Sequence, residues 1–299
     1  MNNKKRHRAK QSMHYTVKNS TTLLPFLLEV MPNRGRNSVK SILRRGQVSV
    51  DGHVETQYNY ELNSGQKVSI VPNKVAKRVG ALIGLSILYE DKDLIVVNKD
   101  AGLLSIATKK EKRRTVHYQL MTYVKKIHPR NRIFIVHRLD QETSGVMMVA
   151  KNAQTKQKLQ QSWNTNVKDR VYLALVEGKV TKHEGIIESW LEETKAHRMY
   201  SSPKNEGQYA KTSYKVLQSN ENFSLVEVHL HTGRKNQIRV HMQDLGHPVV
   251  GDKKYGSRKN PIRRLGLHAH KLSFIHPTTK ETLTIESPAP KSFWIKSKN

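Results

Sequence analysis

The stretch "IVHRLDQETSG", Ile135 to Gly145, sends His137, Arg138, Leu139 and Asp140 out of an apolar run and into a polar turn. A carboxylate at a strand end, held on a rigid scaffold, can serve as a nucleophile or a general base. The same carboxylate paired with a nearby arginine would be an ordinary surface ion pair, and the stretch taken alone favours that plainer reading.

A second dense stretch shifts the balance. In "HLHTGRKNQIRVHMQDLGHPVVGDKKYG", Thr232 and Gly233 are followed by Arg234, Gln237, Arg239 and His241 ahead of Gly246 and Pro248. If Arg234 meets Asp140 across the fold, its charge would keep the carboxylate ionised and aimed. His137 and Arg138 from the first stretch, with Gln237 and Arg239 from the second, are the candidate substrate-binding residues. Other chemistries fit less well. Asp140 and Glu142, two residues apart on one turn, poorly match glycosidase carboxylates on opposite sides of a sugar. His268 and His270 share a strand face but have no identifiable third metal ligand. "HEGII" lacks the second histidine of a zinc protease helix, and neither a phosphate-binding "G-x-x-x-x-G-K" nor a "G-x-S-x-G" elbow occurs.

The elements that must carry these residues are mixed. From Leu85 onward, Val- and Ile-rich strand patterns alternate with helical ones such as "TVHYQLMTYVKK" and "NAQTKQKLQQSW", the latter opened by Asn152 as an N-cap. Strands dominate the last third, in "RVYLALVEG", "AKTSYKVLQ", "FSLVEVHLHTG" and "HKLSFIHP". These patterns predict an α/β mixed (α+β) domain over 85–299 with a largely antiparallel sheet. Residues 73–84 read as a linker.

Upstream, in "RNSVKSILRRGQVSVDGHVETQ", Val39, Ile42 and Leu43 fall at helical spacing, Gly46 can end the helix, and "QVSV-DG-HV" alternates around a hairpin turn. Lys40, Arg44 and Arg45 would lie on the exposed side of that helix, ready for phosphates. Residues 1–18, with six Lys or Arg and no acid, read as a disordered basic arm.

The 299 residues hold 53 Lys and Arg against 24 Asp and Glu, a formal net charge of +29. Such a field favours a polyanionic partner and says nothing of fold. The absence of cysteine excludes disulfide scaffolds, thiol catalysis and cysteine-ligated zinc. "TTLLPFLLEVM" is too short for a membrane span, so a cytoplasmic protein is expected. Nothing demands a partner chain, so a monomer is expected. The basic loop Thr108 to Thr115, "TKKEKRRT", is a further candidate for contact with a polyanion, although a charge run is more often a solvated face.

Four motifs, "HRLDQETSG", "RVYLALVEG", "HTGRKNQIRVHMQDLGHPVVGDKKYG" and "LGLHAHKLSFIHP", together resemble the RluA-type family of RNA pseudouridine synthases in order and spacing. Residues 19–72 resemble the S4-like RNA-binding module first seen in a small-subunit ribosomal protein, through "Gly46-Gln47-Val48-Ser49-Val50-Asp51-Gly52". The resemblance implies the pseudouridine synthase fold, with Asp140 as the catalytic carboxylate, Tyr172 of "Arg170-Val171-Tyr172" packing on the target base and handling protons, and Arg234 of "T-G-R" pairing with Asp140. Arg138 would help fill the space left by the extruded uridine. It implies isomerisation of uridine in structured RNA, ribosomal RNA favoured over transfer RNA. No atoms are gained or lost in that reaction, so no cofactor and no metal are expected. The carboxylate can attack covalently or abstract a ribose proton, and the residues do not choose between the two. The alternative is a non-catalytic RNA-binding or ribosome-assembly factor on the same fold. Two positions depart from the family pattern: Asn236 where many members have His, and Asp100 where Pro is usual. Neither is expected to touch the carboxylate or its arginine.

Overall fold

The computed structural model describes residues 13–44, 47–70, 82–204 and 206–298, with the side chains of residues 41, 44, 53, 54 and 164 left out of the description. Two compact units result, Met1–Ala81 and Leu82–Asn299. Most of the basic arm and of the linker, with Arg45 and Gly46, lies outside the described residues.

In the smaller unit, strands β1 (Met13–Thr16), β3 (Val48–Val50), β4 (His53–Val54) and β6 (Lys67–Ile70) form an antiparallel sheet in the order β1-β6-β3-β4, while β2 (Thr21–Thr22) pairs β5 (Glu61–Leu62). Helix α1 (Leu23–Val30) tolerates Pro25 because it falls in the first turn, where backbone N–H groups have no helical acceptor. Helix α2 (Arg36–Arg44) buries Val39, Ile42 and Leu43, the three residues at helical spacing. They join Leu23, Leu27, Val48, Val50 and Val68 in one core. The β3–β4 hairpin turns on Asp51 and Gly52, both at positive φ (48° and 85°), as a two-residue turn between twisted strands requires. The disordered arm expected over residues 1–18 is corrected at its end: Met13–Thr16 pairs with β6 and Val17 is buried. Alternate apolar side chains there supply a face for the core that a charge count overlooks.

The larger unit is built on an 11-stranded sheet whose main path runs β13-β12-β14-β15-β11-β16-β10-β8-β7. In chain order these are β7 (Leu85–Glu90), β8 (Leu94–Lys99), β9 (Phe134–Ile135), β10 (Ser144–Ala150), β11 (Val167–Glu177), β12 (Glu184–Glu193), β13 (Met199–Ser201), β14 (Gln208–Ser219), β15 (Phe223–Leu230), β16 (Leu267–Ile275) and β17 (Thr282–Glu286). Among the described residues all strand pairings of this sheet are antiparallel except β10 with β16. The parallel pair meets where Gly145 faces Ala269: Gly145 has φ 113°, and a Cβ there would lie 2.1 Å from the Ala269 carbonyl oxygen. Only glycine permits that approach.

Strand β10 is buried along its whole length because both sheet faces are covered. On one face Met147 and Val149 pack with Val116, Leu120 and Val124 of α3 (Val116–Ile127); on the other Val146 and Met148 pack with Leu159 of α4 (Ala153–Gln161). Thr115 and Asn152 cap these helices, accepting from the amides of Tyr118 (3.0 Å) and Thr155 (2.8 Å). After a short helix α5 (Trp163–Asn166), β11 follows the same logic. Ala174 and Val176 face Ile238 and Met242 of α6 (Gln237–Asp244), and Leu173 and Leu175 face Phe293 of α7 (Lys291–Ser297). Tyr172 packs against both the α3-side and the α6-side clusters, so it stands at the seam between them. The mixed α+β class with a mostly antiparallel sheet matches expectation. Among the described residues no helix is long and apolar enough to cross a membrane.

Candidate active site

Asp140 sits on a cross-braced turn. The apolar run that leads to Asp140 is a strand only at the two residues of β9; from Val136 the chain leaves the sheet and lines a cavity. Its backbone groups find other partners. The Ser105 hydroxyl donates to the Leu139 carbonyl (2.6 Å) and stands 3.2 Å from the Leu139 amide; the Gly102 amide and the Lys99 ammonium both donate to the Gln141 carbonyl (each 2.9 Å). Lys99 is fully buried and also donates to the carbonyls of Asp100 (3.0 Å) and Leu103 (2.8 Å). Burial pulls its pKa down to about 8, against the pull of Glu142 and Asp140. Three carbonyl acceptors are the environment an ammonium needs, so Lys99 acts as a charged staple between the 100–103 loop and the Asp140 turn.

The guanidinium that reaches Asp140 belongs to Arg239, whose Nη1 donates to Asp140 Oδ2 at 3.3 Å. Arg239 projects inward from α6 and is itself gripped by buried Asp252, through Nε–Oδ2 at 2.6 Å and Nη2–Oδ1 at 2.8 Å. It lies over the Tyr255 ring, 4.8 Å from the centroid. Burial works against its charge, but the hydrogen bonds and charge of Asp252, helped by Asp140, outweigh that and raise its pKa. Asp140 keeps 36% of its side-chain surface exposed and so remains open to the cavity.

Expectation and structure therefore differ over the two arginines. Arg234 precedes α6 on the exposed turn, lines the cavity and donates from Nε to the Tyr209 carbonyl (2.9 Å); Arg239, expected at the substrate, holds the carboxylate. Helix geometry decides this, because α6 begins at Gln237 and turns position 239 toward the fold while position 234 stays on the rim. Gln237, expected at the substrate, turns into the fold. It is buried, its Oε1 accepts from Thr232 Oγ1 (2.8 Å) and the Arg234 amide (2.9 Å), and its Nε2 donates to the Lys211 carbonyl (3.0 Å) and Thr212 Oγ1 (2.8 Å). All four hydrogen-bonding positions of the amide are used, leaving none for a ligand. Asn236, the departure from the family pattern, does touch the site. At φ 56° it takes the left-handed conformation that asparagine tolerates, accepts from Arg239 Nη1 (3.2 Å) and donates to the Tyr255 hydroxyl (2.9 Å).

Asp140 opens on a cavity of about 740 Å³. His137, Arg138, Tyr172 and Arg234 line it with Asp140. Its size falls within the range that holds a small-molecule ligand. Burial pushes the Tyr172 phenol up to about 12, with Arg170 opposing and Asp140 adding to the rise, so it stays protonated at neutral pH. His137 accepts from the Met148 amide at Nε2 (3.0 Å) and lies against Trp163, ring centroids 5.1 Å apart. Burial, assisted by Arg170, lowers its pKa to about 4, so it is neutral and carries its proton on Nδ1. Arg138 is exposed and has no hydrogen-bonding partner among the described residues. Of the two strand histidines, His268 lies between Ser144 Oγ (2.8 Å) and the Ser287 carbonyl (3.0 Å), and His270 contacts the same carbonyl (2.8 Å). Sequence reasoning missed Asp252 and Ser105. The "G-D" of the second motif contains Asp252 but does not reveal its partner, and nothing around Ser105 marks it.

Three comparisons bear on this arrangement. The family model for RNA pseudouridylate synthase matches residues 93–244. The uncharacterized RNA pseudouridine synthase YlyB of Bacillus subtilis is 35% identical over 272 residues, 89% of either chain. Ribosomal large subunit pseudouridine synthase D of Neisseria meningitidis serogroup B is 31% identical over 284 residues, 90% of this chain and 75% of that one. The solved structure of human RNA Pseudouridylate Synthase Domain Containing 1 superposes with a TM-score of 0.58 at 30% identity, over 71% of this chain and 86% of the human one. The chain thus belongs to the RNA pseudouridylate synthase family, whose members isomerise uridine in RNA.

Proposed function

We propose that Asp140 is the catalytic carboxylate of an enzyme that isomerises a uridine in structured ribosomal RNA, working as a cytoplasmic monomer without a cofactor. The observation that carries the reading is a half-exposed carboxylate held by Arg239 at the wall of a cavity that also presents Tyr172. A uridine in a stack is out of reach, so the base must be extruded, and unstacking is offset in part by an aromatic surface worth about 1–3 kcal/mol per base. Tyr172 supplies that surface and, as a phenol, a proton donor. Arg138, exposed and without a competing partner among the described residues, occupies the place the base vacates, and Arg234 takes a phosphate at the rim. Asp140 then acts on the glycosidic bond, by attack or by removing a ribose proton. The ribosomal preference is supported by the N. meningitidis relative, whose name places its activity on the large ribosomal subunit.

The test is a chemical map of pseudouridine in ribosomal and transfer RNA from cells with and without the protein, repeated with Asp140→Ala complementation. A defined uridine should lose its modification and stay unmodified with the variant, while RNA affinity remains within a few-fold. Restoration by Asp140→Ala would reject the residue, and salt-sensitive RNA binding with no lost site would favour a non-catalytic binder.

Within the smaller unit, we assign α2 and its hairpin to phosphate contact, the role expected of an S4-like module. Lys40 lies on α2 with its ammonium 4.9 Å from the Tyr58 ring centroid, on the exposed side of a helix whose other face is core. Replacing Lys40, Arg44 and Arg45 together by Ala should weaken RNA binding and reduce the slope of log affinity against log salt by about 2 if all three contact phosphates of a single strand. An unchanged slope would remove them from the interface.

A further inference from the structure

Beside the main cavity lies a smaller one of about 260 Å³, walled by Trp163, Lys168, Asp169, Arg170, Ser213, His229 and His231 among others. Trp163, Arg170 and Leu230 line both cavities, so the two are neighbours across a thin partition. The central group of that partition is Arg170. Its Nη2 donates to the Leu230 carbonyl (3.0 Å), and its Nη1 rests where a Cβ on Gly233 would be, 2.5 Å away. No carboxylate lies within ion-pairing distance of it among the described residues, although burial already disfavours its charge. A partly buried guanidinium without an acid is costly unless a ligand brings the anion. Its planar fork matches the oxygens of a phosphate.

The rest of the lining agrees with an anionic, ring-bearing occupant. Lys168 and His231 add basic groups, while His229 is held between carboxylates, Nδ1 on Asp169 and Nε2 on Glu227 (3.1 Å). Asp169, the one acid of this lining among the described residues, is already engaged by His229 Nδ1 (2.9 Å) and by Lys271 (3.0 Å). Trp163 offers an indole at the junction of the two spaces. Consecutive nucleotides of an RNA are joined by one phosphate, so a nucleotide in each cavity would bring that phosphate to the partition between them.

We propose that the smaller cavity is a second nucleotide subsite, which takes the residue adjacent to the target uridine while Arg170 binds the phosphate connecting the two. This rests on the uridine-isomerase reading of the larger cavity. The subsite grips the backbone and one flanking base, and so fixes the strand's path before chemistry.

The test uses RNA from cells lacking the protein, labelled with tritium at uridine C5. That carbon loses its hydrogen when it becomes the glycosidic atom, so released tritium counts isomerisation. Ser213 lines the smaller cavity and not the larger, and Ser213→Trp fills it. The RNA concentration for half-maximal rate should rise roughly tenfold, the order expected for losing one stacked base, with the rate at saturation within about threefold. Should that variant fail to fold, Lys168→Glu at the exposed rim makes the same measurement. Arg170→Gln should in addition flatten the salt dependence of binding by about 0.7 in log–log slope, one phosphate contact on a single strand. Tritium release by the unaltered protein with no change in the folded cavity variant, or with an unchanged Arg170→Gln slope, overturns the subsite alone. No release by the unaltered protein overturns the isomerase reading and the subsite together.

Discussion

At the scale of residues, the aim of Asp140 depends on a carboxylate 112 positions away in the sequence, as Arg239 cannot face it without Asp252 gripping the other edge of the guanidinium. Asp252→Asn preserves shape but removes the charge that keeps Arg239 satisfied. Breaking a buried pair from one side typically costs about 3–5 kcal/mol, so the variant should unfold at clearly lower urea. Its single-turnover isomerisation rate should fall further than its RNA affinity. Arg234→Ala, on the exposed rim, should leave the urea midpoint unchanged and weaken RNA binding instead. Equal midpoints for the two variants would mean that Asp252 does not brace the site.

Elements impose the next constraint. The Asp140 turn belongs to no strand or helix, and its position is set by what staples it to the end of β8. Lys99→Met keeps the length of the side chain and strips three carbonyls of their shared donor. An unmet buried acceptor costs about 1–3 kcal/mol, and the Gly102 amide still serves Gln141, so a total loss of about 3 kcal/mol is expected. The isomerisation rate should drop with RNA affinity little altered, since the cavity's cationic rim is untouched. Full rate in a destabilised variant would show that the turn keeps its shape without the staple. The loop Thr108 to Thr115 is an instructive neighbour: Glu111 accepts from the Arg113 (2.8 Å) and Arg114 (3.0 Å) amides, so one acid inside a basic run shapes its turn.

For the whole molecule, protonation couples to stability through three histidines. His137, His241 and His268 all have pKa values lowered to about 4, burial being the largest cause in each. An unfolded imidazole titrates near 6.5, so from there down to about 4 the unfolded chain binds more protons and stability falls as pH falls; above about 6.5 these groups contribute no pH dependence. Each can contribute up to about 1.4 kcal/mol per pH unit in that window. Urea midpoints at pH 7.5, 6 and 5 should decline in step, and a flat series would mean the three rings are not buried as neutral groups. The family was legible in the sequence, because "HRLDQETSG" and the motifs after it are local strings whose order survives any folding. So were the buried face of α2, the helical pattern of α3 and the Asp51-Gly52 turn, since periodicity and turn chemistry are properties of neighbours in the chain. β12 was not anticipated, although its residues alternate between exposed and half-buried, because a mostly exposed strand beyond the core carries little apolar signal. The pairing of Asp140 with Arg239 rather than Arg234, the use of Gln237 inside the fold, and the grip of Asp252 were decided only by tertiary structure. A motif places its residues within a few positions of one another, but which of them faces the carboxylate depends on where α6 starts and how it packs on the sheet.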